Sequence, residues 1–390
     1  MKCYVLDGEW APRPGYVLKG RELKDARRAI NASTCYKNAA AKLEDRPMPT
    51  PADNEVLIRM GACGICGSDV HAVGSAEDGY SAYANHLRLP VILGHEFSGE
   101  VVEVGKDVTT VKVGDLIAVE QIHWCGECPA CRIGKFNQCY NMEELGLSKD
   151  GGFAEYIRVP EKYCCLINDL ATLYGDKGQA LEAGALVEPT AVAYSGMFIN
   201  GGGLKPGSHV VVYGAGPIGL VSVGLAKAAG AAKIFCIARN PERLAIAKQM
   251  GADYILNVND LPEGVTPSSF VMEKTNGIGA AMIVEATGAY ESVYPEIEAM
   301  MAIGANIIQL GVGTGQPDMN VMQYLRSNSR IQGSLGHAGS DIFPSVVRMM
   351  ESGRIDMRPI ITARFKLDDV EKAFELATKP GQGKIVVTNY

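Results

Sequence analysis

A loop of three glycines restricts most strongly how this chain can fold. Gly214, Gly216 and Gly219 form a G-x-G-x-x-G pattern between the apolar run HVVVY and the helix-like segment 217–229. The first glycine permits a tight turn, the second lets the backbone approach a pyrophosphate, and the third allows close strand–helix packing, while the helix N-terminus adds partial positive charge. A flexible loop is the alternative, but the strand before and the helix after favour dinucleotide binding. The predicted cofactor-binding residues of the loop are Gly214, Gly216, Pro217, Ile218 and Gly219.

Strand-like and helix-like segments alternate from about residue 191 onward. Apolar runs are separated by helix-like stretches such as 242–250. Strands that alternate with helices predict a parallel, doubly wound sheet of the Rossmann type, which we assign to residues 191–339. The predicted strands are 210–213, 234–237, 282–286 and 306–311.

Residues 1–190 have a different texture. Short alternating or β-branched runs, punctuated by Gly, Pro and Asp, predict a β-rich domain. Residues 19–46 are charged and alanine-rich, which predicts an inserted loop or a short helix. The predicted strands are 55–60, 99–104, 116–120 and 154–160.

The end of the chain is assigned back to the first domain. Helix-like stretches at 342–351 and 368–378 precede a terminal β-branched run at 384–388. The first domain therefore comprises residues 1–190 and 340–390. Two domains are also what a chain of 390 residues favours, because one hydrophobic core rarely supports that length.

The composition limits which classes of molecule the protein is expected to bind. The net charge is −7 and the sequence has no run of Lys or Arg, which argues against nucleic acid and against an anionic membrane surface. The uncharged-looking stretch 206–226 contains Pro and repeated Gly, which fits a buried strand turning into a helix rather than a membrane span. The N-terminus lacks the apolar core of a secretory signal, so we expect a reducing cytoplasm and a small-molecule partner.

Four cysteines lie within fifteen residues. Cys125, Cys128, Cys131 and Cys139 follow a C-x2-C-x2-C-x7-C pattern, here called the four-cysteine lobe. Four thiolates this close can surround one tetrahedral Zn²⁺. The alternatives are disulfides, which the compartment disfavours, and an iron–sulfur cluster, whose usual spacing has a shorter last gap followed by Pro, whereas Tyr140 follows Cys139. The pattern predicts a structural zinc.

A second group of metal-ligating residue types is spread along the chain. It comprises Cys66, His95, Glu96 and Glu188 and is here called the dispersed site. Thiolate, imidazole and carboxylate ligands that leave one position open are typical of a catalytic zinc. Each residue alone has a simpler explanation: Cys66 pairs with Cys63 in a redox couple, His95 is a buried imidazole, or Glu188 caps a helix. Their combination favours the metal site.

Ser68 and His71 follow Cys66 by two and five residues. Alcohol oxidation requires a hydroxyl that takes the substrate proton and passes it, through the cofactor ribose, to an imidazole that reaches solvent. These two residues are predicted to form that relay. The alternatives are a turn or N-cap serine and a surface histidine.

The cofactor is predicted from the residues beyond the glycine loop. NAD-binding loops of this type carry an acidic residue about 20 positions later, which accepts hydrogen bonds from the ribose. This chain has Ala238 there, followed by Arg239. Alanine removes the repulsion of a 2′-phosphate and a guanidinium can grip it, so NADP is preferred over NAD. Alternatively, Arg239 is a solvated residue and the enzyme uses NAD.

Along nearly its whole length, the chain resembles the zinc-containing medium-chain alcohol dehydrogenases, in the branch of polyol and threonine dehydrogenases. The matching strings are CGICGSDVH (63–71), GHEFSG (94–99), VGDLIAVE (113–120), the four-cysteine lobe, GGFAEYIRVP (151–160), EPTAVA (188–193), VVYGAGPIGL (211–220) and EATG (285–288). The liver-type enzymes carry a Cys at the Glu188 position. Within the branch, the chain resembles the scyllo-inosose 3-dehydrogenases. That likeness rests on the 19–46 insertion, GY (79–80), ELG (144–146), GGG (201–203) and GH (336–337).

The resemblance implies a GroES-like β-rich catalytic domain and a dimer or tetramer. It also implies a zinc held by Cys66 and His95, with Glu96 and Glu188 as further ligands, either directly or through water. Ser68 and His71 fall on the relay positions of the family. The expected activity is zinc-dependent hydride transfer between a secondary alcohol and NAD(P).

The substrate expectation is an inositol or keto-inositol such as scyllo-inosose. Tyr80, Tyr83 and Asn85 lie between the relay and the GHE string, and their polar groups can meet a ring of hydroxyls, although they also fit ordinary loop residues. An acyclic polyol, 2,3-butanediol or L-threonine is the alternative substrate. A non-catalytic binding protein on the same scaffold is disfavoured, because every ligand and relay residue is present.

Overall fold

The computed structural model describes residues 1–25 and 27–389. Its first part is β-rich, with short helices at the sheet ends. Strands in this part are β1 (Lys2–Trp10), β2 (Arg28–Ala29), β3 (Tyr36–Asp45), β4 (Glu55–Gly64), β5 (Leu87–Arg88), β6 (Val91–Ile92), β7 (Glu96–Val104), β8 (Leu116–Val119), β9 (Ile122–His123), β10 (Glu143–Glu144), β11 (Tyr156–Pro160) and β12 (Cys164–Leu166). Helices are α1 (Ala32–Cys35), α2 (Gly67–Val73), α3 (Pro129–Arg132), α4 (Asn168–Tyr174), α5 (Lys177–Ala185) and α6 (Val187–Tyr194), which continues as a π-helix to Asn200.

The second part alternates strand and helix as predicted. Its elements are β13 (His209–Tyr213), α7 (Pro217–Ala228), β14 (Lys233–Ala238), α8 (Pro241–Met250), β15 (Tyr254–Asn257), α9 (Pro267–Lys274), β16 (Ala280–Glu285), α10 (Tyr290–Met300), β17 (Met301–Gln309), α11 (Val321–Ser327) and β18 (Arg330–Gly333). The six strands pair in parallel in the order β15-β14-β13-β16-β17-β18. This order, with the glycine loop at the switch point after β13, is the Rossmann arrangement, so the predicted fold class is confirmed.

The C-terminal elements are α12 (Ile342–Glu351), β19 (Ile361–Lys366), α13 (Val370–Ala377) and β20 (Lys384–Thr388). Strand β20 pairs antiparallel with β4, joining Val387 to Cys63, and so places the terminal run inside the first sheet. That sheet has seven strands in the order β12-β8-β7-β4-β20-β19, with β11 also on β4. The domain boundaries near 190 and 340 stay a prediction.

The structure corrects the expectation for residues 19–46. A 3-10 helix over Gly20–Leu23 and the four-residue α1 agree with it, but Tyr36–Asp45 is the ten-residue strand β3, paired antiparallel with β1. The charged residues that suggested a loop belong to an edge strand, where charge is a common protection against unwanted pairing. Among the described residues, no helix is long and apolar enough to cross a membrane.

Candidate active site

The end of β4 and the start of α2 position Cys66. The chain leaves the strand at Gly64, and Cys66 takes the N-cap position of α2. Its backbone N–H donates to Asp69 Oδ2 at 2.9 Å, while Asp69 Oδ1 accepts from Gly94 N at 3.3 Å and lies 3.4 Å from His95 Nδ1. The fully buried Asp69 therefore joins the two segments that carry Cys66 and His95. A carboxylate behind a ligating histidine fixes the ring orientation and raises its basicity.

Glu96 begins β7 and pairs with a lysine from the far end of the chain. Lys384 Nζ lies 2.7 Å from Glu96 Oε1 and 2.6 Å from Oε2, and it also donates to Ile65 O at 3.0 Å. Both side chains are at most 2% exposed. Burial raises the pKa of Glu96, and the Lys384 charge opposes that rise. The pair lets a carboxylate stay charged where water cannot solvate it.

The ligand atoms of Cys66, His95 and Glu96 all lie within 4.8 Å of one another. Burial by itself would lower the pKa of His95, but the charges of Asp69 and Cys66 hold it well above its usual value. A compact thiolate, imidazole and carboxylate set is suited to a zinc ion. The Cys63 thiol, by contrast, is fully buried and its pKa is raised by that burial, which indicates packing rather than a redox pair.

Glu188 is the second residue of α6 and is not part of that compact group. Its Oε1 accepts a hydrogen bond from Gln121 Nε2 at 2.6 Å and lies 3.3 Å from His337 Nε2. No described hydrogen bond reaches Oε2. Direct contact of Glu188 with a zinc ion and contact through water both stay predictions.

His337 is fully buried between two carboxylates. Besides Glu188, it has Glu120 Oε1 at 3.8 Å from its Nδ1. Burial alone would lower the pKa of His337, but Glu120 and Glu188 raise it to about 9. No sequence motif predicts a role for this histidine, which lies in the GH string at 336–337 that carries part of the resemblance.

The proposed relay begins on α2. Ser68 is half-buried and interacts with the phenol of Tyr83, which is buried. Burial, together with the charges of Glu144 and Cys66, holds the pKa of Tyr83 well above its usual value. His71 lies one turn further along the helix and is exposed.

Of the three loop residues suggested for substrate contact, only Tyr83 lies in the site. The Tyr80 ring packs under the Arg13 guanidinium, 3.9 Å from its centre, which is a packing role. Asn85 is exposed, and its carbonyl accepts from Ala32 N in the insertion. No sequence motif predicts a role for Glu144. Burial raises the pKa of this carboxyl, which also interacts with the charges of His95, Glu188 and His337.

The four-cysteine lobe is gathered as predicted. Its ligand atoms lie within 4.8 Å of one another, with Cys125 Sγ and Cys139 Sγ 3.5 Å apart. Backbone N–H groups point at the sulfurs: Tyr140 N donates to Cys128 at 3.4 Å, and Asn141 N to Cys139 at 3.3 Å. Such donors from Glu127 and Cys128 lower the pKa of Cys125 to about 6. Four sulfurs in this arrangement fit one zinc ion.

The glycine loop has the geometry its sequence predicts. Gly214 has φ +97°, in the region that favours glycine, and a Cβ on Gly219 would collide with the Gly214 carbonyl oxygen. Gly216 is the N-cap of the twelve-residue helix α7, with Pro217 in the first turn. The free N–H groups of that turn are suited to a pyrophosphate.

Ala238 and Arg239 lie beside this loop. Gly214 N donates to Ile237 O at 2.8 Å, so the end of β14 and the end of β13 are neighbours. Ala238 is the last residue of β14, and Arg239 is exposed, with no ion pair among the described residues. Arg243, in contrast, is tied to Gln382 O at 2.6 Å.

A buried mixed-ligand metal group and a Rossmann dinucleotide loop together define a zinc-dependent, nicotinamide-linked dehydrogenase. The comparisons agree. Residues 52–169 match the family described as alcohol dehydrogenase GroES-like domain, and residues 217–352 match the zinc-binding dehydrogenases. The chain is 35% identical to the scyllo-inosose 3-dehydrogenase of Thermotoga maritima, over 100% of both chains.

Solved structures give the same result. A structure from Thermotoga maritima assigned to the alcohol dehydrogenases has a TM-score of 0.94 at 34% identity, with 100% of both chains covered. A zinc-binding dehydrogenase of Sinorhizobium meliloti bound to NADP has a TM-score of 0.74 at 26% identity, covering 93% of this chain and 99% of that one. The chain belongs to the zinc-dependent medium-chain alcohol dehydrogenases, in the group that contains polyol, threonine and butanediol dehydrogenases. Enzymes of this family are oxidoreductases that use NAD(P).

Proposed function

We propose that this enzyme transfers hydride between one ring hydroxyl of a cyclic polyol, an inositol or keto-inositol such as scyllo-inosose, and NADP. The observation that carries the proposal is the surroundings of the metal-ligating group: the Tyr83 phenol interacts with Ser68 and with the charge of Cys66, and the Glu144 carboxyl interacts with the charges of His95 and Glu188. A phenol and a carboxylate supply both hydrogen-bond donors and acceptors to hydroxyl groups of a substrate. A substrate with a single hydroxyl would leave these protein groups unpaired. The 35% identical scyllo-inosose 3-dehydrogenase supports this choice.

The residues of the dispersed site and of the neighbouring helix α2 have different proposed roles in the reaction. Cys66, His95 and Glu96 would hold a zinc, with Glu188 reaching it through water, and bound zinc and nicotinamide would supply Lewis-acid polarisation and a hydride acceptor. Ser68 is positioned by α2 to take the proton from the reacting hydroxyl. His71, exposed on the same helix, passes that proton to solvent. We expect the activity lost in His71→Ala to be partly restored by added imidazole; absence of rescue would contradict this role.

Substrate assays test the proposal most directly. Inositols, scyllo-inosose, sorbitol, 2,3-butanediol and L-threonine are offered with each cofactor, and turnover is followed at the nicotinamide absorbance. The expected result is the highest kcat/KM on an inositol or inosose. Turnover of threonine with none on the cyclic polyols would overturn the substrate assignment and leave the family assignment intact.

Glu144 gives a second test of the same pocket. In Glu144→Leu, a substrate hydroxyl loses a charged partner worth about 1.5–3 kcal/mol, so kcat/KM on the cyclic polyol should fall about 10–100-fold. The matched variant Glu143→Leu alters a neighbouring carboxyl whose partners are Arg28 and Ser148 and should change kcat/KM much less. Equal effects of both variants would argue against substrate contact by Glu144.

We propose two zinc ions of different roles: a catalytic one at the dispersed site and a structural one in the four-cysteine lobe. The four-sulfur set is closed, whereas the dispersed site leaves room for substrate. Metal analysis should find about two zinc ions per chain. A measured content of one zinc ion per chain would contradict either the catalytic or the structural site.

We also propose NADP as the preferred cofactor. Support comes from Ala238 and from the exposed Arg239 guanidinium beside the glycine loop. In the double variant Ala238→Asp with Arg239→Leu, the preference should shift toward NAD by about 10–100-fold, since charge-assisted hydrogen bonds are worth about 1.5–3 kcal/mol. A wild type that prefers NAD, or a double variant with unimpaired NADP use, would contradict the proposal.

A second copy of the chain is the proposed partner, in a dimer or tetramer. Strand β18 ends the six-stranded sheet, and its outer edge has no pairing strand among the described residues. Val321 and Leu325 on the adjacent α11 are each 73% exposed. An unpaired edge beside an apolar helix is suited to pairing with its symmetry copy. Light scattering should show an oligomer that Leu325→Glu weakens; a monomeric wild type would refute this.

The reducing cytoplasm is the proposed compartment. Neighbouring thiols, such as Cys125 and Cys139, must stay reduced to bind metal. Fractionation of cells producing the protein tests this, and recovery from an oxidising compartment with intact metal would argue against it.

A further inference from the structure

The loop after β18 reaches into the dispersed site from the Rossmann sheet. Residues 334–341 follow the last strand of that sheet and are anchored at two points. Asn137 Nδ2, next to the four-cysteine lobe, donates to Leu335 O at 2.9 Å, and Gly339 N donates to Glu120 Oε1 at 2.6 Å. His337 lies between these anchors, so its backbone is held from both sides.

The side chain of His337 contacts Glu188 through its Nε2 atom, while its Nδ1 atom faces Glu120. Its Nε2 lies 3.3 Å from Glu188 Oε1, and a carboxylate can only accept, so this nitrogen carries the proton. Gln121 Nε2 donates to the same Oε1 at 2.6 Å. Two donors on one oxygen fix the orientation of the carboxylate, and no hydrogen bond within the described part of the chain occupies Oε2.

We propose that His337 is a positioning residue that holds the Glu188 carboxylate toward the zinc and thereby sets how firmly the catalytic zinc is retained. This inference rests on the proposed role of Glu188 as a zinc partner. Groups behind metal ligands typically change metal affinity or activity by about 10–100-fold when they are lost. The Phe343 ring, 4.9 Å from the imidazole, and the two carboxylates leave His337 little freedom to rotate.

The test measures zinc retention and the metal's coordination rather than turnover alone. In His337→Leu, a colorimetric chelator should remove the catalytic zinc about tenfold faster or more than from wild type. The cobalt-substituted enzyme should show a changed visible absorption band, which a purely structural loss would not produce. His337→Gln keeps an N–H donor and should restore most of the retention.

The matched control is His209→Leu, the same substitution at a half-buried histidine that begins β13. It should leave zinc release and the cobalt spectrum unchanged. If His337→Leu does not fold, Glu120→Gln carries the test. It removes a charge beside the imidazole while keeping an acceptor for Gly339, and it should also release the catalytic zinc faster. Unchanged or slower zinc release in folded His337→Leu, or in Glu120→Gln where His337→Leu does not fold, would overturn the inference.

Glu188→Gln separates this inference from the proposed function. If Glu188→Gln releases zinc faster and His337→Leu does not, only the role of His337 is wrong. If Glu188→Gln leaves zinc release and the cobalt spectrum unchanged, Glu188 is not a zinc partner and both fail together.

Discussion

The four-cysteine lobe and the dispersed site both gather metal-ligating side chains, but the chain assembles them in opposite ways. The lobe takes its ligands from residues 125–139, and backbone N–H groups of the same segment support the sulfurs. The dispersed site lies where the ends of β4, β7 and β20 meet. Helix α6 and the loop 334–341 contribute further side chains to it. One site is closed by local chain geometry, and the other exists only when two sheets are in place.

The supporting charges differ as well. In the lobe, neutral backbone N–H dipoles point at the sulfurs, with no charged partner among the described hydrogen bonds of these sulfurs. In the dispersed site, buried charges are neutralised by other buried charges, as in Lys384 with Glu96 and His337 with Glu188. Removing one member of a buried pair leaves the other uncompensated, so substitutions there should cost more than substitutions around the lobe.

The largest expected effect separates the two metals by function. Cys66→Ala should lose one zinc per chain and lower kcat/KM by about a thousandfold or more, because Lewis-acid polarisation is worth several kcal/mol. Metal analysis and steady-state kinetics measure both. Full turnover in this variant would refute the catalytic assignment.

Cys139→Ser tests the other half of the comparison. It should lose the second zinc and lower Tm by about 10 °C, because binding energy at a closed zinc site is folding energy. The molecules that remain folded should keep most of the activity. A normal Tm with the activity abolished would show that the two sites are not separate in function.

Lys384→Met tests the cost of the buried pair. It leaves Glu96 buried without its cation and should lower the unfolding free energy near neutral pH by about 3–5 kcal/mol, measured by denaturant titration. Burial already raises the pKa of Glu96, so this carboxyl takes up a proton as the pH is lowered. The difference in unfolding free energy between wild type and Lys384→Met should then become smaller.

The control for Lys384→Met is Lys106→Met. Lys106 pairs with Asp53 at 2.9 Å, and both side chains are more than half exposed. Its loss should cost at most about 1 kcal/mol. Equal losses in the two variants would show that burial does not decide the cost.

The smallest effect concerns a buried imidazole without a carboxylate partner. Both ring nitrogens of His86 are buried without a hydrogen bond, and burial, with Arg21 nearby, lowers the pKa to about 4. Between pH 7 and 5.5, His86 takes up a proton in the unfolded chain but not in the folded chain. The free energy of unfolding therefore decreases as the pH is lowered. His86→Phe should reduce that fall by about 1 kcal/mol in denaturant titrations at the two pH values. An unchanged pH slope would exclude His86 as a source.

Sequence patterns predicted those features whose residues lie close together in the chain. The glycine loop, the cysteine spacing and the alternation of strand and helix each depend on contacts within a few residues, so spacing alone carries them. The strand β3 was missed because its charged residues suggested a loop, although they protect a sheet edge. Tyr80 was suggested for substrate contact, but its ring packs against Arg13.

Only the tertiary structure decided which distant side chains complete the dispersed site. Motifs identified Cys66, His95, Glu96 and Glu188, but not the buried partners that hold them: Asp69, Lys384, Gln121, Glu120 and His337. A lone lysine in a terminal strand or a histidine in a loop has no spacing signal, because its partner lies hundreds of residues away. Burial decides the role of such a residue, because a charge that is removed from water needs an oppositely charged partner nearby in space.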